Sequence, residues 1–218
     1  MSQPLELNQR PTMPRQLRPI RLIGAGGIVR DAHMPAYQKA GFTVESVYDP
    51  DRDRAASLAS QFHIAEVAES QAALVDRASE NAVYDVAVPA AALDEVLEQL
   101  PDGAAVLIQK PFGEDLDQAK RLLSLCQQKQ FTAAVNFQLR WAPYVLAARD
   151  LIERGLIGDV HDMEVRVTVY TPWQLWTFLE KAPRVEITYH SIHYLDLIRS
   201  FLGEPASAQA KTLKHPDT

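Results

Sequence analysis

A single cysteine in 218 residues removes whole classes of protein from consideration. Cys126 has no partner for an internal disulfide, and a lone thiol suits a reducing, cytoplasmic setting. It shares a helix-like stretch with Leu116, Ala119, Leu122 and Leu123, so it reads as a small core residue. Long hydrophobic runs are missing as well. None approaches the roughly 20 residues of a membrane-spanning helix, so no membrane partner is expected. Positive charge is not in excess: 22 Lys and Arg against 28 Asp and Glu leave −6, which argues against nucleic acid as the main partner. The six histidines form no H-x-x-x-H pattern and no Cys/His ligand set. His190 and His193 lie three apart with no third ligand evident, so no metal is expected. Residues 1–17 carry Pro4, Pro11 and Pro14, without the apolar centre of a signal peptide or a twin arginine, and read as a flexible tail.

What remains is a chain of ordinary globular composition, 47% hydrophobic and 23% charged. Its most informative stretch is strand, glycine turn, helix: Pro19 to Ile23 run into Gly24-Ala25-Gly26-Gly27-Ile28. The first glycine permits a tight turn. The second lets backbone N–H groups approach a phosphate, and the following helix aims its positive end there. Val29 holds the third glycine position of G-x-G-x-x-G, so an ordinary βα turn competes with a pyrophosphate site.

Apolar strand-like runs then alternate with helical spacing. Strands are expected at 42–48, 82–88, 104–109 and 131–135, with helices at 55–62, 69–78, around Leu93 to Leu100, and at 116–128. This order predicts βαβ crossovers and a mostly parallel sheet. The domain is placed at 18–135, and the partial second domain at 136–218. There, a helix is expected from Pro143 to Arg154, with Gly155 as its C-cap. Val160 to Tyr170 alternate, as in a half-buried antiparallel strand. Trp173 to Pro183 is aromatic and irregular, a helix runs from Thr188 to Leu202, and 206–213 offers another strand. Two strands make a marginal sheet. Either another subunit completes it or the chain is a fragment, and the fragment is favoured.

Three places carry chemistry. Asp49 ends the second strand, 23 residues after Gly26, where the dinucleotide fingerprint expects an acid for the ribose hydroxyls. That favours NAD. Arg52 and Arg54 nearby keep NADP open, and an Asp that merely caps the next helix is the structural alternative. Lys110, in Gln109-Lys110-Pro111, follows a buried strand and would sit beside the nicotinamide, polarising a substrate oxygen. A solvated loop lysine is its alternative. Tyr189, His193 and Asp196 fall on one helical stripe flanked by apolar residues on both sides, so the helix should be largely buried. A histidine there can take a hydroxyl proton, or simply join a satisfied buried network.

Together these pieces resemble the glucose–fructose oxidoreductase / inositol dehydrogenase (Gfo/Idh/MocA) family over residues 18 to 210. The marks are Gly24-Ala25-Gly26-Gly27-Ile28 with His33-Met34-Pro35-Ala36, Tyr48-Asp49, Gln109-Lys110-Pro111-Phe112, Asn136 with Arg140, Gly155-Leu156-Ile157-Gly158, and His193-Tyr194-Leu195-Asp196 near Gly203. The resemblance implies an α/β fold: a Rossmann-type doubly wound parallel sheet, then a truncated α+β domain with a mainly antiparallel open sheet. That sheet implies a homo-oligomer, dimer or tetramer. Lys110 and His193 take the family's catalytic positions.

Gln109 replaces the usual Glu, and Tyr189 replaces the family's Asp, which removes a carboxylate from the substrate hydroxyls. The expected cofactor set is Gly24, Ala25, Gly26, Gly27, Ile28, Asp49, Arg52, Pro89 and Lys110. The expected substrate set is Asn136, Arg140, Trp173 and His190, and the catalytic set is Lys110, His193 and Tyr189. The reading is hydride transfer between NAD(P) and a sugar or polyol-like alcohol. Its rivals are a non-redox enzyme that uses NAD transiently, for elimination or glycoside cleavage, and a nucleotide-binding sensor without turnover.

Overall fold

The fold is seen in a computed structural model that describes residues 5–77, 81–171, 179, 184–211 and 213. The chain divides into two units, one formed by 12–136 with 171–189, the other by 1–11, 137–170 and 190–218.

The first unit is built on six strands: β1 Ile20–Ile23, β2 Val44–Tyr48, β3 Glu66–Val67, β4 Val83–Val86, β5 Ala105–Ile108 and β6 Thr132–Val135. They run in the order β3-β2-β1-β4-β5-β6, and every pairing is parallel. The helices that join them are α1 Met34–Ala40, α2 Arg52–Phe62, α3 Gln71–Asp76, α4 Leu93–Glu98 and α5 Leu116–Gln128. Strand order reverses between β1 and β4, which is the switch point where such sheets bind ligands.

Two apolar layers cover the sheet. Ile20, Leu22, Val29, Val47, Ala55 and Leu58 pack together in one. Ile23, Leu74, Val86, Leu93, Ile108, Leu122 and Cys126 pack together in the other, so Cys126 is the core residue expected. Side chains cap the helices where the sequence offers short polar groups. Asp51 accepts from Arg54 N at α2, Ser70 from Ala73 N at α3, and Asp115 from Gln118 N at α5.

In the second unit, α6 (Pro143–Glu153) starts on a proline and ends before Gly155, at φ 66°. A π-helical stretch, Glu186–Ser191, begins in the first unit and leads into α7, Ile192–Leu202. Arg149 ties α6 to α7, donating to Ser200 Oγ at 2.7 Å with its guanidinium over the Phe201 ring. Arg154 donates to the Glu6 carbonyl and Asp150 accepts from Asn8 N, so the N-terminal segment lies along α6.

Two expectations need correction here. Among the described residues, Val160 to Tyr170 and 206–211 form no strand, and no antiparallel sheet is present. Alternation makes a residue fit for a sheet, but a strand exists only where a neighbour takes its backbone hydrogen bonds. Val167 and Val169 are accordingly exposed. The helix carrying His193 is also less buried than its apolar flanks predict: Leu195 and Leu202 are exposed, and burial is confined to His193, Asp196 and Leu197.

Candidate functional site

Parallel register places the relevant residues in one row. Tyr48, Ile23, Val86, Ile108 and Val135 are successive partners across the sheet. The residues immediately after them are Asp49, Gly24, Ala87, Gln109 and Asn136, side by side along the carboxyl edge.

Gly24 is there because nothing else fits. Its φ is +101°, and a Cβ would stand 2.3 Å from the Ala87 carbonyl oxygen. Gly26 differs: a Cβ would meet nothing within 4 Å, so the space above it is open for a ligand. Ala25 is buried, whereas Gly27 and Ile28 are exposed. Val29, the departure from the glycine pattern, is fully buried and opens a π-helical turn, Val29–His33, ahead of α1. The third glycine normally lets helix and strand approach closely; here the helix opens on a wider turn.

Asp49 is 8% exposed and holds the glycine turn. Its Oδ2 accepts from Ala25 N at 2.8 Å and its Oδ1 from Asp51 N at 2.9 Å. The helix cap at this point is Asp51, not Asp49. Arg54 is drawn to Asp49 and Asp51. Arg52, the first residue of α2, is exposed. Pro89 is exposed at the end of β4, just before a short 3-10 turn, Ala90–Ala92. These residues fit a dinucleotide: a turn with open backbone, a helix behind it, and an anchored acid on the neighbouring strand.

Lys110 follows Gln109 at the end of β5, joined to Pro111 by a cis peptide bond. Its ammonium group donates to the Tyr189 carbonyl oxygen at 2.8 Å and lies 5.8 Å from the centre of the Tyr189 ring. Burial lowers the lysine pKa. The Tyr189 phenol moves the other way, raised by burial and then by the charge of Glu114, so it stays protonated at neutral pH. The structure thus brings Lys110 and Tyr189 together through the tyrosine main chain.

A buried polar chain lies beneath the same edge, and the sequence reading missed it. Asp85, in the central strand β4, is fully buried. Its Oδ2 takes the His33 ring at Nδ1, 2.7 Å away, and the Tyr37 hydroxyl at 2.8 Å. Among the described residues its Oδ1 is buried without a hydrogen-bond partner, an arrangement that costs about 1–3 kcal/mol. The other ring nitrogen of His33 meets the Asn136 amide nitrogen at 3.2 Å. The signal was a charged residue inside an otherwise apolar strand, together with His33 and Tyr37 four apart on one helix face.

In the second unit, Arg140 closes its guanidinium on Asp196 with two bonds of 2.6 and 2.5 Å, and Asp196 is 4% exposed. The residue expected to contact substrate therefore braces a 3-10 turn, Gln138–Trp141, against α7. His193 is buried with its ring edge-on to Phe137, centroids 6.1 Å apart. His190 stands edge-on to Tyr194 at 5.6 Å. Trp173 lies outside the described residues. Among the described residues no group of three or more His, Cys, Asp or Glu is placed to hold a metal ion. An apolar recess of about 410 Å³ between α5 and β6, lined by Ile108, Leu116, Leu123, Ala133 and Val135 among others, contains none of these site residues.

Residues 19–137 match the family model described as oxidoreductase family, NAD-binding Rossmann fold, and 145–218 match the GFO/IDH/MocA C-terminal domain. The chain belongs to the Gfo/Idh/MocA oxidoreductase family. The chain is similar to the D-xylose 1-dehydrogenase [NADP(+)] of Haloarcula marismortui, 29% identical over 147 residues, which are 65% of this chain and 41% of that protein. The 1,5-anhydro-D-fructose reductase of Ensifer adhaerens is 28% identical over 193 residues, 87% of this chain and 58% of that one. The fold is shared with a crystal structure of an oxidoreductase from Agrobacterium radiobacter in complex with NAD+, L-tartaric acid and magnesium. There the TM-score is 0.71 at 23% identity, over 86% of this chain and 55% of that one. The chain thus spans about half the length of the Gfo/Idh/MocA relatives it matches.

Proposed function

We propose that this chain works as an NAD(P)-dependent oxidoreductase on a sugar or polyol-like alcohol. The observation that carries the reading is the shared row. An open glycine turn with its anchored acid, and a half-buried lysine two strands away, stand on one edge of one parallel sheet. A bound nicotinamide supplies the hydride acceptor. Gly24, Ala25, Gly26, Gly27 and Ile28 face the pyrophosphate, with Pro89 beyond them, and Asp49 faces the ribose. The Asp49 carboxylate would repel a 2′-phosphate, so NAD is the first choice; Arg52 is the residue to meet such a phosphate, which makes NADP the second.

Lys110 polarises the hydroxyl oxygen and stabilises its developing charge. The proton is assigned to His193. Tyr189 orients Lys110 through its carbonyl and offers a phenol where the family resemblance implies a carboxylate. His190 remains with the substrate, whereas Arg140 is committed to Asp196. Sugar-acting relatives support the substrate class. A cytosolic setting and a homo-oligomer formed through the second domain belong to the same proposal; the single buried Cys126 supports the former.

The test is nicotinamide reduction at saturating NAD and NADP across a panel of aldoses, ketoses and inositols. Lys110→Met and His193→Ala should each abolish turnover of whichever sugar is used. Full activity in either variant would sink the mechanism. A second reading, a nucleotide sensor, is favoured by one observation: Lys110 already holds a main-chain carbonyl beside a tyrosine that supplies no carboxylate. Tight nucleotide binding without turnover of any sugar selects it. Substrate consumption without net NADH selects transient NAD use in elimination or glycoside cleavage.

A further inference from the structure

The chain from Asp85 through His33 to Asn136 has no part in the chemistry above, and it sits in an unfavourable place. Asp85 pairs in register with Leu22 on one side and Leu107 on the other, so an apolar side chain would suit the position better. The network that keeps it there has a direction. The Tyr37 phenol, raised in pKa by burial and then by the Asp85 carboxylate, remains protonated and must donate to Oδ2. Oδ2 is then an acceptor for His33 too, which places the imidazole proton on Nδ1. In the neutral ring Nε2 then offers a lone pair, and the Asn136 amide nitrogen, 3.2 Å away, is placed to donate to it. An amide has two ends. With its NH2 turned to His33, its carbonyl oxygen is directed away from the ring.

Asn136 follows β6, three strand spacings or about 14 Å from Gly24 along the carboxyl edge. It lies on the side opposite Asp49. A dinucleotide with its pyrophosphate at Gly24 and its adenosine ribose at Asp49 extends its nicotinamide half in this direction.

We propose that Asp85 and His33 are positioning residues that fix the Asn136 side chain with its amide oxygen toward the nicotinamide, as acceptor for a carboxamide N–H. The inference rests on the nucleotide site described above. It assigns to three residues a selectivity for the nicotinamide end of the ligand.

The test compares NAD with ADP-ribose, which lacks the nicotinamide, by calorimetric titration of the 218-residue chain. Asn136→Ala should weaken NAD about five- to tenfold, the worth of one hydrogen bond, and leave ADP-ribose unchanged. His33→Phe, which keeps ring bulk and loses both nitrogens, should do the same. Equal weakening of both ligands, or of neither, overturns the proposal. Asp85→Asn is read in the free protein by NMR: the Asn136 side-chain NH2 resonances should shift and exchange faster with solvent. Unchanged resonances overturn the relay from Asp85. If the parent chain binds NAD while the variants fail these criteria, only the positioning role falls. If it binds neither ligand, the nucleotide reading falls and this one with it. Asn136 is only partly buried, so Asn136→Ala is the variant that keeps the test readable should the two core substitutions unfold the chain.

Discussion

The sheet unit and the helical unit keep their buried charges by different means. In the sheet unit, Arg21 of β1 is 5% exposed and spreads its guanidinium over the Ser46 hydroxyl, the Arg77 carbonyl and the carboxylates of Glu45 and Glu66. Asp85 likewise takes both His33 and Tyr37. In the helical unit, among the described residues, Asp196 is buried and takes its side-chain hydrogen bonds from Arg140 alone, whose side chain is 41% exposed, with the Arg199 charge nearby. A distributed arrangement tolerates the loss of one member, because the buried group keeps another donor. A two-membered arrangement does not.

That contrast is open to direct attack. The largest effect should come from Arg140→Ala, which strands the Asp196 carboxylate. A loss of about 3 kcal/mol in urea unfolding is expected, and a loss below about 1 kcal/mol would erase the contrast. Gly24→Ala comes next, at about 2 kcal/mol or more, because a side chain at φ +101° runs into the Ala87 carbonyl. Hydrogen exchange should show the weakening at β1 and β4. Tyr37→Phe should cost only about 1 kcal/mol, since His33 still serves Asp85; a cost matching Arg140→Ala would mean the network is not shared. The smallest effect is a pH slope. Burial depresses the Lys110 pKa below its ordinary 10.5. Between the two values the unfolded chain binds a proton that the folded chain has released, so stability rises with pH across that window. Lys110→Met should remove the slope, as read by unfolding midpoints at a series of alkaline pH values.

How much of this was legible in the sequence also differs between the units. The parallel sheet was readable because each βαβ unit carries its own signals: a β-rich run, a Gly or Pro stop, a helical period. The expectation for α5 matched to the residue, Leu116 to Gln128. β3, only Glu66 and Val67, is too short to show a period. In the helical unit, the alternation from Val160 to Tyr170 is real, but a strand is a property of two segments, and no partner accompanies it among the described residues. The site divides in the same way. The placement of Gly24, Asp49 and Lys110 just past strand ends was legible because turn chemistry and strand ends are local. The His33–Asp85 and Asp85–Tyr37 contacts join residues 52 and 48 apart, His33–Asn136 joins residues 103 apart, and Arg140–Asp196 joins residues 56 apart. No local pattern records such pairings, and they decide that Arg140 is a brace and Asn136 a held amide.

The single row at the carboxyl edge has one more consequence. Since Asp49, Gly24, Ala87, Gln109 and Asn136 each follow the last paired residue of their strand, strand length sets where each of them stands along the edge. One residue inserted into β5 would displace Lys110 by a strand rise, about 3.3 Å, and swing it to the opposite face of the sheet.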